Sequence, residues 1–445
     1  MTMLTVPVYP GATVLHVGQS HTMQYIRKTD LCALNAYRNA LEQKGFSLRF
    51  HQSANGNLFY TYASETDYAH LYYNPDTRTV RVISSPLGEI SLPQFEREAD
   101  ADPQFPSAVT QSVLDYYYYD EKDPASRADG NFGACYIVTL DDGSLLVYDG
   151  GGRWGKNDVE RIWGLIRERG KRNAAGRIVI AAWIITHEHV DHFFCMHHVL
   201  LRHGNELELK GLYCTPIAPE LLVGRSTPGD RYIESPDALN KLRAAVGDFK
   251  LIRLHTGQVF WVRNVQLEVL CSPEDIFPEH ADRYYDFNDT GIVTRMKVNG
   301  KSFLNLGDAY HVSSHVMVEL WGNTLKSDYC TLAHHGWGGC TRSLYDHVQP
   351  SLVFVPFSRR WIDRILNDER YISKSSGKEK RWIQWAIDRY GDFDLITKHV
   401  FRRYAGSSFD RFLLADGCNK TLDLTSGCVK CEETFNDQPG YPYDK

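Results

Sequence analysis

The apolar positions of this chain change period several times, and each change marks a new element. In "TDLCALNAYRNALEQKG" (29–45), Leu31, Leu34, Tyr37 and Leu41 recur at helical spacing, with Thr29–Asp30 as a cap and Gly45 as a stop. Short runs of β-formers follow: "SLRFHQ", "NLFYTYA", "AHLYY" and "TVRVIS", separated by Asn/Gly and Pro/Asp turns. Residues 1–105 therefore read as a small α+β domain, in which His16, His21 and His51 are expected at the surface or in packing. Residues 106–131 read as a linker, because "DEKDPASRADG" is an exposed connection. Just before it, "VLDYYYYD" clusters Tyr116 to Tyr119, which suits interdomain packing.

From residue 132 strands and helices alternate. "ACYIVTLDDGSLLVYDGGG" is a hairpin about an Asp-Gly turn, and "NDVERIWGLIRERG" is an amphipathic helix with Val159, Ile162, Trp163 and Ile166 on one face. "RIVIAAWIIT" is a continuous apolar run, as expected of a strand covered on both sides. Later come strands in "KGLYC", "QVFWV", "VQLEVL", "GIVTRMKVNGKSFLNLGD", "DYCTLA" and "SLVFVPF", and helices in "PDALNKLRAAVG", "SHVMVELWG" and "KEKRWIQWAIDRYG". Sheets flanked by helices over 132–405 are the expected architecture, with 406–445 as an extended tail or edge segment.

Composition narrows the picture only a little. With 445 residues, 43% hydrophobic, 23% charged and a net charge of -6, the chain is an ordinary globular one, with no global affinity for nucleic acid or membranes. No apolar run is long enough to span a bilayer, and "MTMLTVPVYPGATVLHVG" lacks a basic start and an apolar signal core. The ten cysteines show no framework spacing, so buried free thiols and a cytoplasmic location are expected. Cys418, Cys428 and Cys431 have the spacing of a metal knuckle but no clear fourth ligand.

The chemistry concentrates in "IITHEHVDHFF" (184–194). His187 and His189 are two apart in an extended segment and can grip one cation, while Asp191 and His192 open the next helix and face a second position. With 18 histidines in the chain, chance assembly of H-x-H-x-D-H is rare, on the order of once in several hundred such chains. A His/Asp donor set without cysteine suits a catalytic site with open positions. His197, His198 and His203 lie on the following helix and read as helical surface or core. "FLNLGD" and "CTLAHHG" repeat the grammar of an apolar strand ending in ligand-type residues, Asp308 and His334–His335. Ligands gathered from separate strands at one sheet edge are how sheet enzymes build sites.

The series "VYDGG", "THEHVDH", "LGD" and "AHHG" resembles the metallo-β-lactamase superfamily over roughly residues 130–405. The resemblance implies an α/β fold, an αββα sandwich, with a dinuclear centre of divalent metals: zinc or manganese, with iron also compatible. Carried over residue by residue, His187 and His189 would hold the first metal, and Asp191 and His192 the second. Asp308 would bridge the two, and His334 or His335 would complete the second site, with Asp149 as a supporting aspartate. The texture is most similar to the soluble hydrolase domain of ComEC-like competence proteins, through Asn288–Asp289, Gly307–Asp308 and His334–His335–Gly336. The N-terminal "LHVGQS" echoes that family's opening strand but is displaced by more than a hundred residues. Where many superfamily members place a third first-site histidine, this chain has "LEVLCSPEDIF", leaving Glu274, Asp275, His255 or nothing in that role. His189 stands where the superfamily's redox branch carries glutamate, which argues against a di-iron oxidoreductase.

The expected activity is hydrolysis by a hydroxide bridging two metals, with Asp191, His334 and His335 as catalytic residues. The leading substrate is a phosphodiester, small-molecule or nucleic-acid. The segment 359–403 interleaves basic residues with Trp361, Tyr371, Trp382 and Trp385, although acidic residues punctuate it and a solvated face accounts for it as well. Alternatives are an acyl hydrolase acting on a lactone, thioester or amide, and a non-catalytic metal-binding interaction module. Cys340 near the His-His-Gly turn reads as a packing thiol, not a nucleophile. The N-terminal domain could cap the site or mediate homo-oligomerisation.

Overall fold

The computed structural model describes residues 6–17, 21–88, 90–98, 105–112, 114, 116–118, 128–130, 134–152, 158–217, 221, 236–279, 287–336, 339–356, 412–415 and 418–433. The basic segment 359–403, the helix expected in "KEKRWIQWAIDRYG" and Tyr119 lie outside the described residues.

The N-terminal domain is a six-stranded antiparallel sheet in the order Thr13–His16, Thr22–Ile26, Thr79–Pro86, Asp67–Asn74, Asn57–Ala63, Ser47–Ala54. Helix α1 (Leu31–Gln43) covers one face, and Asp30 caps it by accepting from the Ala33 N–H at 2.9 Å. Leu34, Tyr37 and Leu41 pack there on Tyr60, Tyr62, Leu71, Tyr73, Val80 and Val82. Side chains alternate along a strand, so the opposite face presents Met23, Phe59, Tyr72 and Ile83. These enter the core of the main domain, where Phe59 stacks on Trp321 with centroids 5.4 Å apart. Asn55 and Asn57 both donate to the Leu320 carbonyl, at 2.9 and 2.8 Å.

The main domain is a mixed α/β sandwich of two sheets. The larger runs Val429–Glu433, Cys418–Asp423, Ala108–Gln111, Tyr136–Thr139, Leu145–Tyr148, Ile178–Ile184, Gly211–Tyr213, Lys250–Ile252, Ile90–Ser91, with Leu207–Leu209 pairing the start of Ile178–Ile184. The smaller runs Val259–Val262, Val265–Cys271, Val293–Val298, Lys301–Asn305, Tyr329–Thr331, Leu352–Val355, Phe412–Leu414. Between the sheets, Val138, Leu146, Ala182 and Ile184 meet Leu267, Met296, Phe303 and Phe354. Outside the larger sheet lie α2 (Asp158–Arg169), α3 (Val190–His203) and α4 (Pro236–Val246), through Ile162, Ile166, Met196, Val199 and Leu242. Outside the smaller lie α5 (His311–Trp321) and α6 (Arg342–Val348), through Val312, Met317, Leu344 and Val348. Strand Ile178–Ile184 shows why an unbroken apolar run is needed: Ile178, Ile180 and Trp183 face the helices while Ala182 and Ile184 face the other sheet.

The sheets also draw strands from beyond residues 132–405. Ile90–Ser91 and Ala108–Gln111 join the larger sheet, and Phe412–Leu414, Cys418–Asp423 and Val429–Glu433 extend both. Such short strands carry too little alternation to be read from sequence. Cys418 and Cys431 form a disulfide, which departs from the expectation of free thiols and removes the metal-knuckle reading; the other eight cysteines are free. Among the described residues no helix is long and apolar enough to cross a membrane.

Candidate metal centre

Four chain segments meet at one edge of the sandwich. The first ends strand Leu145–Tyr148 in Asp149, which is fully buried and has φ 54. Gly150 beside it must lack a side chain, since a Cβ there would sit 2.5 Å from Met196 Cβ. Asp149 Oδ1 accepts from the Thr186 N–H at 2.8 Å, and Oδ2 lies 2.9 Å from His192 Nδ1. Thr186 Oγ1 lies 3.0 Å from each Asp149 oxygen and within 3.2 Å of His187 Nδ1 and 3.3 Å of His192 Nδ1. One buried carboxylate and one hydroxyl thus orient the second segment, His187 to His192.

In that segment His187 leaves the strand, His189 is the N-cap residue of α3, and Asp191 and His192 fill its first turn. His187 Nε2 and His189 Nδ1 are 2.9 Å apart, and Phe287 packs against the His189 ring at 4.6 Å. The third segment brings Asp308 after strand Lys301–Asn305. Gly307 precedes it at φ +50, where a Cβ would meet Thr186 Cβ at 2.9 Å. The fourth brings His334 and His335 after Tyr329–Thr331, both in left-handed backbone at φ 48 and 46. Such strain persists only where the surroundings enforce it. Here the His334 N–H donates to the Gly307 carbonyl at 3.0 Å, and the Ala333 N–H to Tyr345 Oη at 3.1 Å.

The donor atoms converge. His192 Nε2 lies 3.2 Å from Asp308 Oδ1 and 3.2 Å from His335 Nε2; His335 Nε2 lies 3.2 Å from Asp191 Oδ2 and 3.4 Å from Asp308 Oδ1. Asp191, His192, Asp308 and His335 form one group with donor atoms all within 4.8 Å of one another, and His187, His189 and Asp308 form another. Asp308 belongs to both, and its Oδ2 lies 3.9 Å from His187 Nε2.

The donor set fits divalent cations. With Asp149 facing Nδ1, His192 keeps its proton there and turns the Nε2 lone pair inward. Inside the protein, two imidazole nitrogens and two carboxylates thus converge, an arrangement that a proton or a cation must hold together. Their electrostatics report the same demand for positive charge. Burial opposes charging His192, but the carboxylates of Asp308, Asp149 and Asp191 outweigh it and raise its pKa well above the ordinary value. Burial likewise opposes charge on His335, yet Asp308 and Asp191 push it up to about 9. Burial would raise Asp308, but His192 and His335 hold it well below the carboxylate range. His187 moves the other way, lowered well below ordinary by burial and then by the neighbouring His192 and His189.

Of the residues expected at the site, His187, His189, Asp191, His192, Asp308 and His335 come together, with Asp149 behind them. His334 stands apart from both donor groups: its Nε2 lies 3.2 Å from Asn288 Nδ2 and its ring meets Tyr310 edge-on at 5.1 Å. His255, Glu274 and Asp275 are in neither group. His255 instead links Tyr68 Oη at 2.6 Å to Glu274 at 2.5 Å, and Asp275 accepts from the Ser272 N–H at 3.0 Å and from Thr256. Asp289 caps α5 by accepting from the Ser313 N–H at 2.9 Å. Cys340 is buried, its thiol held protonated well above ordinary pH by burial and by Asp289. Thr186, Phe287 and Tyr310 carried no sequence signal of their own, although Thr186 directly precedes the histidine motif.

Residues 128–268 match the family described as the Metallo-beta-lactamase superfamily, a span that includes Asp149, His187, His189, Asp191 and His192. The chain carries a domain of the metallo-β-lactamase superfamily, with an additional N-terminal β domain. Among curated protein sequences, none matches this chain. Among solved structures, it is similar to the metallo-beta-lactamase fold protein YhfI from Bacillus subtilis, at 13% identity over 56% of this chain and 86% of that one, TM-score 0.34. It is also similar to CmlA, a diiron beta-hydroxylase from Streptomyces venezuelae, at 12% identity over 64% of this chain and 52% of that one, TM-score 0.32. A protein of unknown function from Enterococcus faecalis V583 matches at 11% identity over 51% and 50%, TM-score 0.24.

Proposed function

We propose that this protein is a metal-dependent hydrolase with a dinuclear centre, acting on a phosphodiester, a reading supported by the resemblance of Asn288–Asp289, Gly307–Asp308 and His334–His335–Gly336 to the competence-type hydrolase domains. The observation that carries the proposal is Asp308, whose carboxylate is common to both groups of convergent donors. His187, His189 and Asp308 would hold one cation, and Asp191, His192, Asp308 and His335 the other. Bound there, divalent cations supply Lewis acidity and a hydroxide nucleophile at neutral pH. The chain's own residues do the rest. Asp149 and Thr186 orient the imidazoles; His334 Nε2 accepts from Asn288 Nδ2, which would keep the ring proton on Nδ1, the nitrogen from which His334 would donate to the leaving oxygen. On that reading His335→Ala loses metal, while His334→Ala keeps it and lowers kcat; equal loss of metal in both sinks the division.

A second reading, an acyl hydrolase, is favoured by one feature. A small recess beside His187 is lined by Ile185, Cys214, Ile217 and Phe287 together with Thr215 and Glu188. The Glu188 carboxylate suits an uncharged acyl group better than a polyanion. The experiment is hydrolysis of bis(p-nitrophenyl) phosphate by metal-free protein reconstituted with manganese or zinc, with Asp308→Ala as control. Metal-dependent turnover lost in the variant supports the phosphodiesterase. Turnover only on neutral esters, insensitive to salt, supports the acyl hydrolase, since cleavage of a nucleic acid falls with salt.

A further inference from the structure

The outermost hairpin of the larger sheet holds chemistry that the metal centre does not use. Cys418 lies on one strand and Cys431 on the next, joined by a disulfide with Cα atoms 5.8 Å apart. In the hairpin register Lys420 stands opposite Cys431, and Cys418 opposite Glu433, so the disulfide runs diagonally and Lys420 shares its face. The Lys420 ammonium lies 2.8 Å from Cys418 Sγ. The two sulfurs are not equivalent: Cys418 is only 9% exposed, whereas Cys431 is an exposed residue.

That asymmetry gives exchange a direction. An incoming thiolate meets Cys431 first, and the ammonium beside Cys418 stabilises that sulfur as the leaving thiolate. Cys428 is free and exposed. It sits just ahead of strand Val429–Glu433, three residues before Cys431, and strand alternation continued back to it would turn it to the other face, so the attacking thiol is assigned to a molecule from outside the hairpin.

We propose that this hairpin is a thiol-exchange site, at which a low-molecular-weight thiol of the glutathione class forms a mixed disulfide with Cys431 and frees Cys418. The thiolate sulfur attacks Cys431 Sγ, the Cys431–Cys418 bond breaks, and its electron pair leaves on Cys418 Sγ beside Lys420. One disulfide replaces another, so no oxidant is consumed. Strand Val429–Glu433 is the end strand of its sheet, and opening the staple loosens that edge. The ion pair of Arg169 with Glu432 and the 3.0 Å bond from Thr421 Oγ1 to Glu432 keep it docked.

The test uses the full chain, purified without reductant, incubated with reduced glutathione at mildly alkaline pH, quenched in acid and mapped by peptide mass. The expected result is an adduct on Cys431 with Cys418 as the free thiol. Its formation slows several-fold in Lys420→Gln, is restored in Lys420→Arg, and is unchanged in Cys428→Ser. The proposal is overturned by an adduct on Cys418 with Cys431 free, by a Lys420→Gln rate equal to that of the parent, or by a slower rate in Cys428→Ser. Ten free thiols in the denatured, unreduced protein would overturn it as well.

Discussion

Among the described residues, the buried histidines at the sandwich edge and those at the joint with the N-terminal domain are built differently, and of these two clusters the first has the convergent donors of a metal site. At the sandwich edge, His187, His189, His192 and His335 aim their nitrogens at one another and at Asp191 and Asp308. Where the N-terminal domain meets the sandwich, His21, His70 and His255 are just as buried, with rings 5.4 to 6.2 Å apart. There all but one of the nitrogens bond elsewhere, His21 Nε2 being the exception. His70 bonds Thr61 at 2.9 Å and the Thr256 carbonyl at 2.8 Å, His255 bonds Tyr68 and Glu274, and His21 bonds Ser85. The charge response separates them too. Carboxylates raise His192 and His335, whereas burial and the charge of His255 lower His70 to about 3, and burial with Arg253 and His255 lowers His21 well below ordinary. Histidine count and burial do not define a metal site; convergence of imidazole nitrogens and carboxylates on one point does.

The largest expected effect comes from Asp308→Ala, which removes a donor from both groups and brings hydrolysis down to the level of the metal-free protein. His255→Ala, the matching change in the other cluster, leaves turnover per bound metal unchanged, as a titration of activity against metal content would show. Asp149→Asn comes next: it keeps the shape but disturbs the His192 orientation, and metal affinity measured by competition with a chelator falls by about 10–100-fold. His255→Ala in turn strands Tyr68 and Glu274 without their partner, and denaturant unfolding shows a loss of about 2–4 kcal/mol. His203→Ala, which removes a ring stacked on Trp163 and paired with half-exposed Glu160, changes metal content not at all and stability by about 0.5 kcal/mol or less.

His335 in the first cluster and His70 in the second also predict opposite pH limbs for the metal-free protein. The pKa of His335 is raised in the fold, so its contribution is whole below its unfolded value of about 6.5 and is lost as pH climbs through about 9. The pKa of His70 is lowered. It costs nothing above about pH 6.5 and destabilises increasingly as pH falls from there toward about 3, because only the unfolded chain takes the proton. Melting temperature against pH therefore falls on both sides. Metal bound at the first cluster would replace the proton of His335 and flatten the alkaline limb. An unchanged alkaline limb in the loaded protein contradicts the comparison.

Much of this was legible in the chain, because the decisive pattern is local. His187, His189, Asp191 and His192 fall within six residues at the exit of an apolar strand, and Asp308 and His335 follow strands of the same grammar. What was not legible depends on distant partners or on backbone. That His335 lies with the other donors while His334 lies beside Asn288 goes with two consecutive left-handed residues, which no side-chain pattern announces. Glu274, Asp275 and His255 have the chemistry of ligands, but Tyr68, nearly two hundred residues upstream, draws His255 and Glu274 into the domain joint. The closing strands Phe412–Leu414 and Cys418–Asp423 are too short or too polar to read as sheet, and the Cys418–Cys431 bridge depends on their register.

The central claim is that Asp308 is shared by two metal positions. It is tested most directly by counting metal per chain, by plasma mass spectrometry after reconstitution with zinc or manganese and gel filtration, in the parent protein and in Asp308→Ala. The account predicts two ions per chain in the parent and loss of both, or of all but a weakly held one, in the variant. Two tightly held ions in Asp308→Ala, or none in the parent, would contradict it.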